Sequence, residues 1–239
     1  MDSKKEVNAL LVYPTFPRNT YWSFYHSLRF AGKKAAYPPL GLLTVASMLP
    51  SHWNLKLVDM NVSRLRDQDI ANADIVLAGA MSVQKDSLED VVRQTHRHGK
   101  LLVVGGTYIT THENPITVGA DHLILGEAER AIPRFLNDLA IGSPQLIYDG
   151  KEDKPPLTEN PLPRWDLIKM RAYGSTNIQY SRGCPFDCEF CDIIKISGRK
   201  PRTKDDDQFL GEMEALYKAG WRGSVFVVDD NFPSNRPRV

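Results

Sequence analysis

Five short runs of almost uninterrupted apolar residues, at 7–13, 55–59, 73–80, 101–104 and 121–126, place the strongest constraint on how this chain can fold. Each has the length of one strand and is nearly continuous in apolar residues, with Lys56 and Asp74 the charged interruptions inside a run, so the strands are expected to be buried on both faces. Between them, 38–49, 87–98 and 129–139 carry helical signals. Pro38 and Pro39 suit a first turn, Ser87 an N-cap and Gly99 a C-terminal stop. Buried strands alternating with helices imply an α/β fold: a doubly wound, Rossmann-like parallel sheet over residues 1–142. Ligands in such domains sit beyond the carboxyl ends of the strands. Here those ends carry Pro14, Asp59, the stretch from Gly79 to Ser82, Gly105, Gly106, Gly126 and Glu127. Residues 14–34 are aromatic and polar without a period and read as a long loop.

The character changes at 143–175, where Pro144, Pro155, Pro156, Pro161 and Pro163 punctuate a polar stretch. It reads as a linker with one short strand at 145–148. A second unit, 176–239, is expected to hold a strand at 177–181, a helix at 205–219 and a strand at 223–229. Acidic residues open that helix and Gly220 closes it.

A net charge of +1 gives no general case for attraction to nucleic acid or to a membrane. No apolar run approaches the roughly 20 residues that span a bilayer. The N-terminus lacks the apolar core of a signal peptide, and the chain reads as cytosolic. All three cysteines lie within one short loop, which is a poor disulfide framework and fits a metal site in a reducing compartment.

That loop runs Ser181-Arg182-Gly183-Cys184-Pro185-Phe186-Asp187-Cys188-Glu189-Phe190-Cys191, a C-x3-C-x2-C spacing directly after a strand. Thiolates are soft ligands for iron–sulfur clusters or for zinc. A closed zinc site needs a fourth protein ligand. None of the six histidines follows the cysteines, so a histidine from the first unit or Asp192 would have to serve. Three thiolates on a cubane leave one iron open to a cofactor or substrate. Both metals stand at this point.

The spacing, with aromatic Phe190 immediately before the last cysteine, resembles the radical S-adenosylmethionine superfamily. The resemblance implies that Cys184, Cys188 and Cys191 hold a 4Fe-4S cluster. It implies that the fourth iron is chelated by S-adenosylmethionine, and that reduction yields a 5′-deoxyadenosyl radical. Phe190 would lie by the adenine. The strand ending Val227-Val228-Asp229-Asp230-Asn231 is similar to the second barrel strand of the cobalamin-dependent branch, which implies Asp229 or Asp230 as partner of the S-adenosylmethionine amino group. The segments Tyr37-Pro38-Pro39-Leu40-Gly41, Val104-Gly105-Gly106 and Leu125-Gly126-Glu127-Ala128-Glu129 resemble the cobalamin-binding domain of that branch. Ser82, Gly105, Gly106, Gly126 and Glu127 are thereby implied as cobalamin contacts. The D-x-H-x-x-G motif that donates a lower axial histidine is missing after the first strand, where Pro14-Thr15-Phe16-Pro17 stands instead.

The resemblance implies a cobalamin-dependent enzyme, methyltransferase-like, that methylates an unactivated carbon of an unassigned small molecule. An electron donor such as flavodoxin or ferredoxin would serve it. A full barrel of this kind takes about 250 residues. The 176–239 unit is expected to be only the start of one, ending at Pro237-Arg238-Val239, with a missing C-terminal half and doubtful activity alone. Two other readings remain: a non-catalytic cobalamin- or nucleotide-binding module, and a zinc-stabilised interaction protein.

Overall fold

A computed structural model describes residues 6–232; the expected end at Pro237-Arg238-Val239 lies outside the described residues. Six strands make one sheet: β1 (Asn8–Tyr13), β2 (Asn54–Asp59), β3 (Ile75–Gly79), β4 (Leu101–Gly105), β5 (His122–Gly126) and β6 (Ile147–Gly150). Their spatial order is β2-β1-β3-β4-β5-β6, and every pairing is parallel. The helices between them are α1 (Tyr25–Phe30), α2 (Leu40–Met48), α3 (Asp67–Ala71), α4 (Lys85–Arg97), α5 (Thr107–Thr111) and α6 (Ala128–Ile141).

Uninterrupted apolar runs become strands here because both faces are covered. Successive residues of β1 point to opposite sides. Leu10 and Val12 join Val76, Leu102 and Val104 beneath Ile70 of α3 and Leu88 and Val91 of α4. Ala9 and Leu11 join Leu77, Val103 and Ile124 beneath Leu42 of α2 and Ile132 and Phe135 of α6. A fully buried leucine or valine is worth roughly 1.5–3 kcal/mol over an exposed one. A polar residue in the central strands would therefore find no solvated face, whereas the edge strand β2 keeps Lys56 in solvent.

Three local expectations shift. The stretch 14–34 is not one loop: it holds a 3-10 turn at Tyr21–Ser23 and then α1. Ser87 does not cap α4, which begins two residues earlier, and its hydroxyl instead accepts from Thr15 N–H at 2.9 Å. The strand foreseen at 145–148 is β6, which pairs with β5 and completes the sheet, so the linker begins inside the first unit.

The chain then forms β7 (Thr176–Ile178), β8 (Ser181–Arg182), α7 (Ile193–Ile196), β9 (Arg202–Thr203), α8 (Asp206–Lys218) and β10 (Val225–Val227). Asp205 caps α8 by accepting from Gln208 N–H at 2.7 Å. β7 pairs with β10 in parallel across α8, and β8 pairs with β9 antiparallel. This part is not a separate body. Leu43 of α2 shares a buried cluster with Trp165, Ile178, Leu216 and Trp221. A second tie runs from Tyr173, whose hydroxyl donates to buried Asp59 Oδ2 at 3.0 Å. Burial pushes the Asp59 carboxyl up, against the lowering effect of hydrogen bonds from Asn61 and Tyr173.

Candidate functional site

A cavity of about 720 Å³ lies at the carboxyl ends of the six-stranded sheet, between it and the β7–β10 part. Its sheet-side wall comes from the ends of β1, β3, β4 and β5, at Tyr13, Gly79, Gly105, Gly106, Gly126 and Glu127. This is the crevice where the strand order reverses, the usual ligand position in doubly wound sheets. Gly106 holds φ +99°, and a Cβ there would lie 2.7 Å from the Ala80 carbonyl oxygen. Gly105 has ordinary φ, and a Cβ would meet nothing closer than 3.4 Å. The first glycine is thus required by the backbone, and the second keeps the wall flat. Gly79, Gly105 and Gly126 leave this wall without side chains at three strand ends. Among the described residues the wall contains no histidine.

The opposite wall is polar. It includes Asn177 of β7, Gln179, Arg182 of β8, Lys204, Glu212 of α8 and Asp230. The Asn177 side-chain oxygen is buried and has no hydrogen-bond partner. An unpaired buried acceptor is costly, but this oxygen is closed off from the cavity that its residue lines.

An ion network joins the two walls. Arg182 Nη1 lies 2.9 Å from Glu127 Oε2 and 2.8 Å from Glu129 Oε1. Arg202 of β9 donates to Glu127 and, at 2.6 Å, to the Pro155 carbonyl. Burial alone would lower Arg182, but the carboxylates of Glu129 and Glu127 outweigh it and hold the guanidinium charged. Deeper in, Lys204 donates to Glu212, and both side chains are almost fully buried. Burial pushes Lys204 down and Glu212 up, each toward its neutral form, and their mutual attraction opposes this.

The cysteine loop follows β8. Cys184 is buried, Cys191 half-buried and Cys188 exposed, and all are free thiols. The loop's entrance is anchored from β10 and beyond. Asp229 accepts from Tyr180 N–H at 2.8 Å and from the Ser181 hydroxyl at 2.6 Å, and Asp230 Oδ2 accepts from Gly183 N–H at 2.7 Å. Cys184 N–H donates to the Gly198 carbonyl, and Asn231 Nδ2 lies 3.5 Å from Cys184 Sγ. The donor set fits an iron–sulfur cluster in kind, with three soft thiols on one loop. Among the described residues, however, no three His, Cys, Asp or Glu side chains are gathered closely enough to hold a metal ion.

Of the residues singled out from the sequence, Gly105, Gly106, Gly126, Glu127 and Asp230 line the cavity. Ser82 opens a 3-10 turn, is exposed and does not line the cavity, whereas its neighbour Met81 does. Phe190 is 93% exposed and is not part of the wall. Asp229 has both oxygens occupied as a brace for β8. Arg182, Arg202, Lys204, Glu212 and Asn177 went unnoticed in the sequence. The one local hint was two basic residues, Arg202 and Lys204, ahead of an acidic helix start.

No family model matches the chain. It is 46% identical over 234 residues to an uncharacterized methyltransferase of Synechocystis sp., across 98% of this chain and 43% of that protein. It is 34% identical to the hopanoid C-2 methylase of Rhodopseudomonas palustris, across 95% of this chain and 44% of that protein. A bacteriochlorophyllide d C-8(2)-methyltransferase of Chlorobaculum tepidum is 25% identical over 84% of this chain. The chain thus spans less than half the length of the first two relatives. In fold it is similar to the radical S-adenosylmethionine methyltransferase TsrM of Kitasatospora setae, solved with cobalamin and a [4Fe-4S] cluster bound. The TM-score is 0.66 at 12% identity, over 97% of this chain and 49% of that one. By sequence the chain is thus similar to proteins named as methyltransferases and methylases, and in fold to a radical S-adenosylmethionine methyltransferase.

Proposed function

We propose that this chain supplies the cobalamin pocket and the cluster loop of an enzyme that methylates an unactivated carbon of an apolar, polycyclic substrate. The observation that carries the reading is the cavity itself. Its glycine floor stands at the strand ends of the sheet, and its other wall is built from the strands that flank Cys184, Cys188 and Cys191. The substrate class follows the relatives, which act on hopanoids and bacteriochlorophyllides, and the cavity's largely apolar lining agrees with it.

When bound, the cluster supplies the electron that splits S-adenosylmethionine, and cobalamin carries the methyl group. The chain's own residues bind, orient and shield. Cys184 is held in place by its backbone, and the exposed Cys188 and half-buried Cys191 close toward it on loading. Gly105, Gly106 and Gly126 let the macrocycle lie against the backbone. Among the described residues Asp230 keeps one oxygen without a partner, and it lines the cavity, so it accepts from the S-adenosylmethionine ammonium. Phe190, on the loop, folds over the adenine only when the loop closes. A reductant protein such as flavodoxin or ferredoxin delivers electrons at the exposed side of the loop.

The test is anaerobic reconstitution with iron and sulfide. The chain should take up a brown cluster, and Cys184→Ala should lose its absorbance and its sulfide. Full iron and sulfide in the variant would sink the reading, and one zinc without sulfide in the parent would sink it in favour of the zinc-stabilised alternative.

A further inference from the structure

From Val7 to Val58 the chain contains no aspartate or glutamate, although its overall charge is only +1. Within that stretch, Arg18, Arg29, Lys33 and Lys34 gather around the 3-10 turn and α1. None is in an ion pair among the described residues. Lys33 and Lys34 donate to the carbonyls of Arg171 and Val62, and Arg18 and Arg29 lie 4.9 and 5.6 Å from the Tyr25 ring centroid.

The same segment presents large apolar side chains to solvent. Phe30 is 95% exposed, Tyr21 78% and Trp22 48%. The turn joins α1 through Phe24 in the left-handed region, φ +44°, a costly conformation for a bulky residue. Its ring sits 4.9 Å from Tyr21 and 6.5 Å from Tyr37, so the strained bend is held by stacking among the aromatics. Trp22 and Arg18 also line the cavity while remaining open to solvent, which puts this segment at its mouth.

Exposed tryptophan, tyrosine and phenylalanine interleaved with unpaired arginine and lysine match the chemistry of a membrane interface. The rings settle at headgroup depth, and the cations meet lipid charge. Anionic lipid is the occupant because the segment carries only positive charge. We infer that the 3-10 turn and α1 dock peripherally on an anionic lipid surface, so that the cavity mouth opens toward the membrane. No helix among the described residues is long and apolar enough to cross a membrane, so the contact is interfacial. This inference needs neither cluster nor cobalamin and is tested apart from them.

The measurement is co-sedimentation of the chain with vesicles of phosphatidylcholine, with and without phosphatidylglycerol. Each cation near an anionic surface strengthens partitioning roughly fivefold. Arg18, Arg29 and Lys34 together should favour the anionic vesicles on the order of 100-fold at low salt, and added salt should erode the preference. The double variant Arg29→Glu, Phe30→Ser alters two exposed residues outside the cavity wall. It should keep the parent's thermal midpoint and lose at least about tenfold in vesicle binding. Equal binding to both vesicle types, no binding to either, or binding unchanged in the double variant overturns the inference. So does a lipid-free dimer that the double variant disperses, which would make a second copy the occupant.

Discussion

Arg182 Nη1 stands 2.9 Å from Glu127 Oε2, linking the strand that leads into the cysteine loop to the end of the fifth strand of the sheet. Glu127 also holds Arg202, while Glu129 depends on Arg182. Replacing Arg182 with Gln leaves Glu129 buried without its partner, and breaking a buried pair this way costs about 3–5 kcal/mol. Denaturant unfolding should show that loss. Reconstituted iron content should fall with it, because the same strand sets the loop's entrance. Arg182→Lys, which keeps charge but not the fork, should lie between.

Lys204 and Glu212 give a sharper energetic test. Each sits in a site that disfavours its charge, so each depends on the other. Lys204→Met alone should destabilise by about 3–5 kcal/mol by stranding the carboxylate. Lys204→Met with Glu212→Leu should recover most of it. A double variant no better than the single one would contradict the pairing.

The two adjacent glycines of the fourth strand end should separate fold from binding. Gly106→Ala meets the Ala80 carbonyl at positive φ and should cost about 1–3 kcal/mol. Gly105→Ala has room and should change stability by less than about 1 kcal/mol. Both variants should weaken cobalamin binding, read by absorbance titration of the purified chain.

Asp229 and Asp230 differ in what they have left to offer. Asn at 229 can still accept from Tyr180 N–H and donate to the Ser181 oxygen, so Asp229→Asn should bind S-adenosylmethionine within about threefold of the parent. Asp230→Asn replaces the charge facing the cavity and should weaken binding by about tenfold or more. Equilibrium dialysis with the reconstituted chain reads both, and the reverse ranking would move the ammonium contact to Asp229.

Asp59 predicts a pH slope. Its carboxyl titrates above its ordinary range in the folded chain, chiefly from burial, so the folded state holds that proton more tightly than the unfolded one. The associated stability is complete below the ordinary carboxylate range and is lost as pH rises through the raised value. Thermal midpoints from about pH 4 upward should decline more steeply for the parent than for Asp59→Asn.

The doubly wound sheet was legible because its strands are sealed on both faces, and a strand such as Val103–Gly105 has no reason to carry a polar residue. β6 was harder to place, since its residues Ile147 to Gly150 sit among prolines and form the sheet's last strand. α1 escaped notice for a related reason. Phe30 faces solvent, so the segment shows no apolar period to read. The cysteines were legible because thiol chemistry is carried by residue type and spacing alone. The partnership of Arg182 with Glu127 was not, because charges 55 residues apart leave no local trace. Phe190 shows the limit of motif reading: the motif puts it beside a ligand, yet in this structure the ring stands in solvent.

The packing of Leu43 against Trp165, Ile178, Leu216 and Trp221 has a consequence for how a large ligand would reach the cavity. These side chains tie α2, one wall's support, to the strands of the other wall, so parting the two walls at this cluster would expose two tryptophans. A molecule the size of a corrin must then enter past Trp22 or be enclosed while the chain is still folding. Adding cobalamin during refolding should therefore load the protein faster than soaking the finished fold.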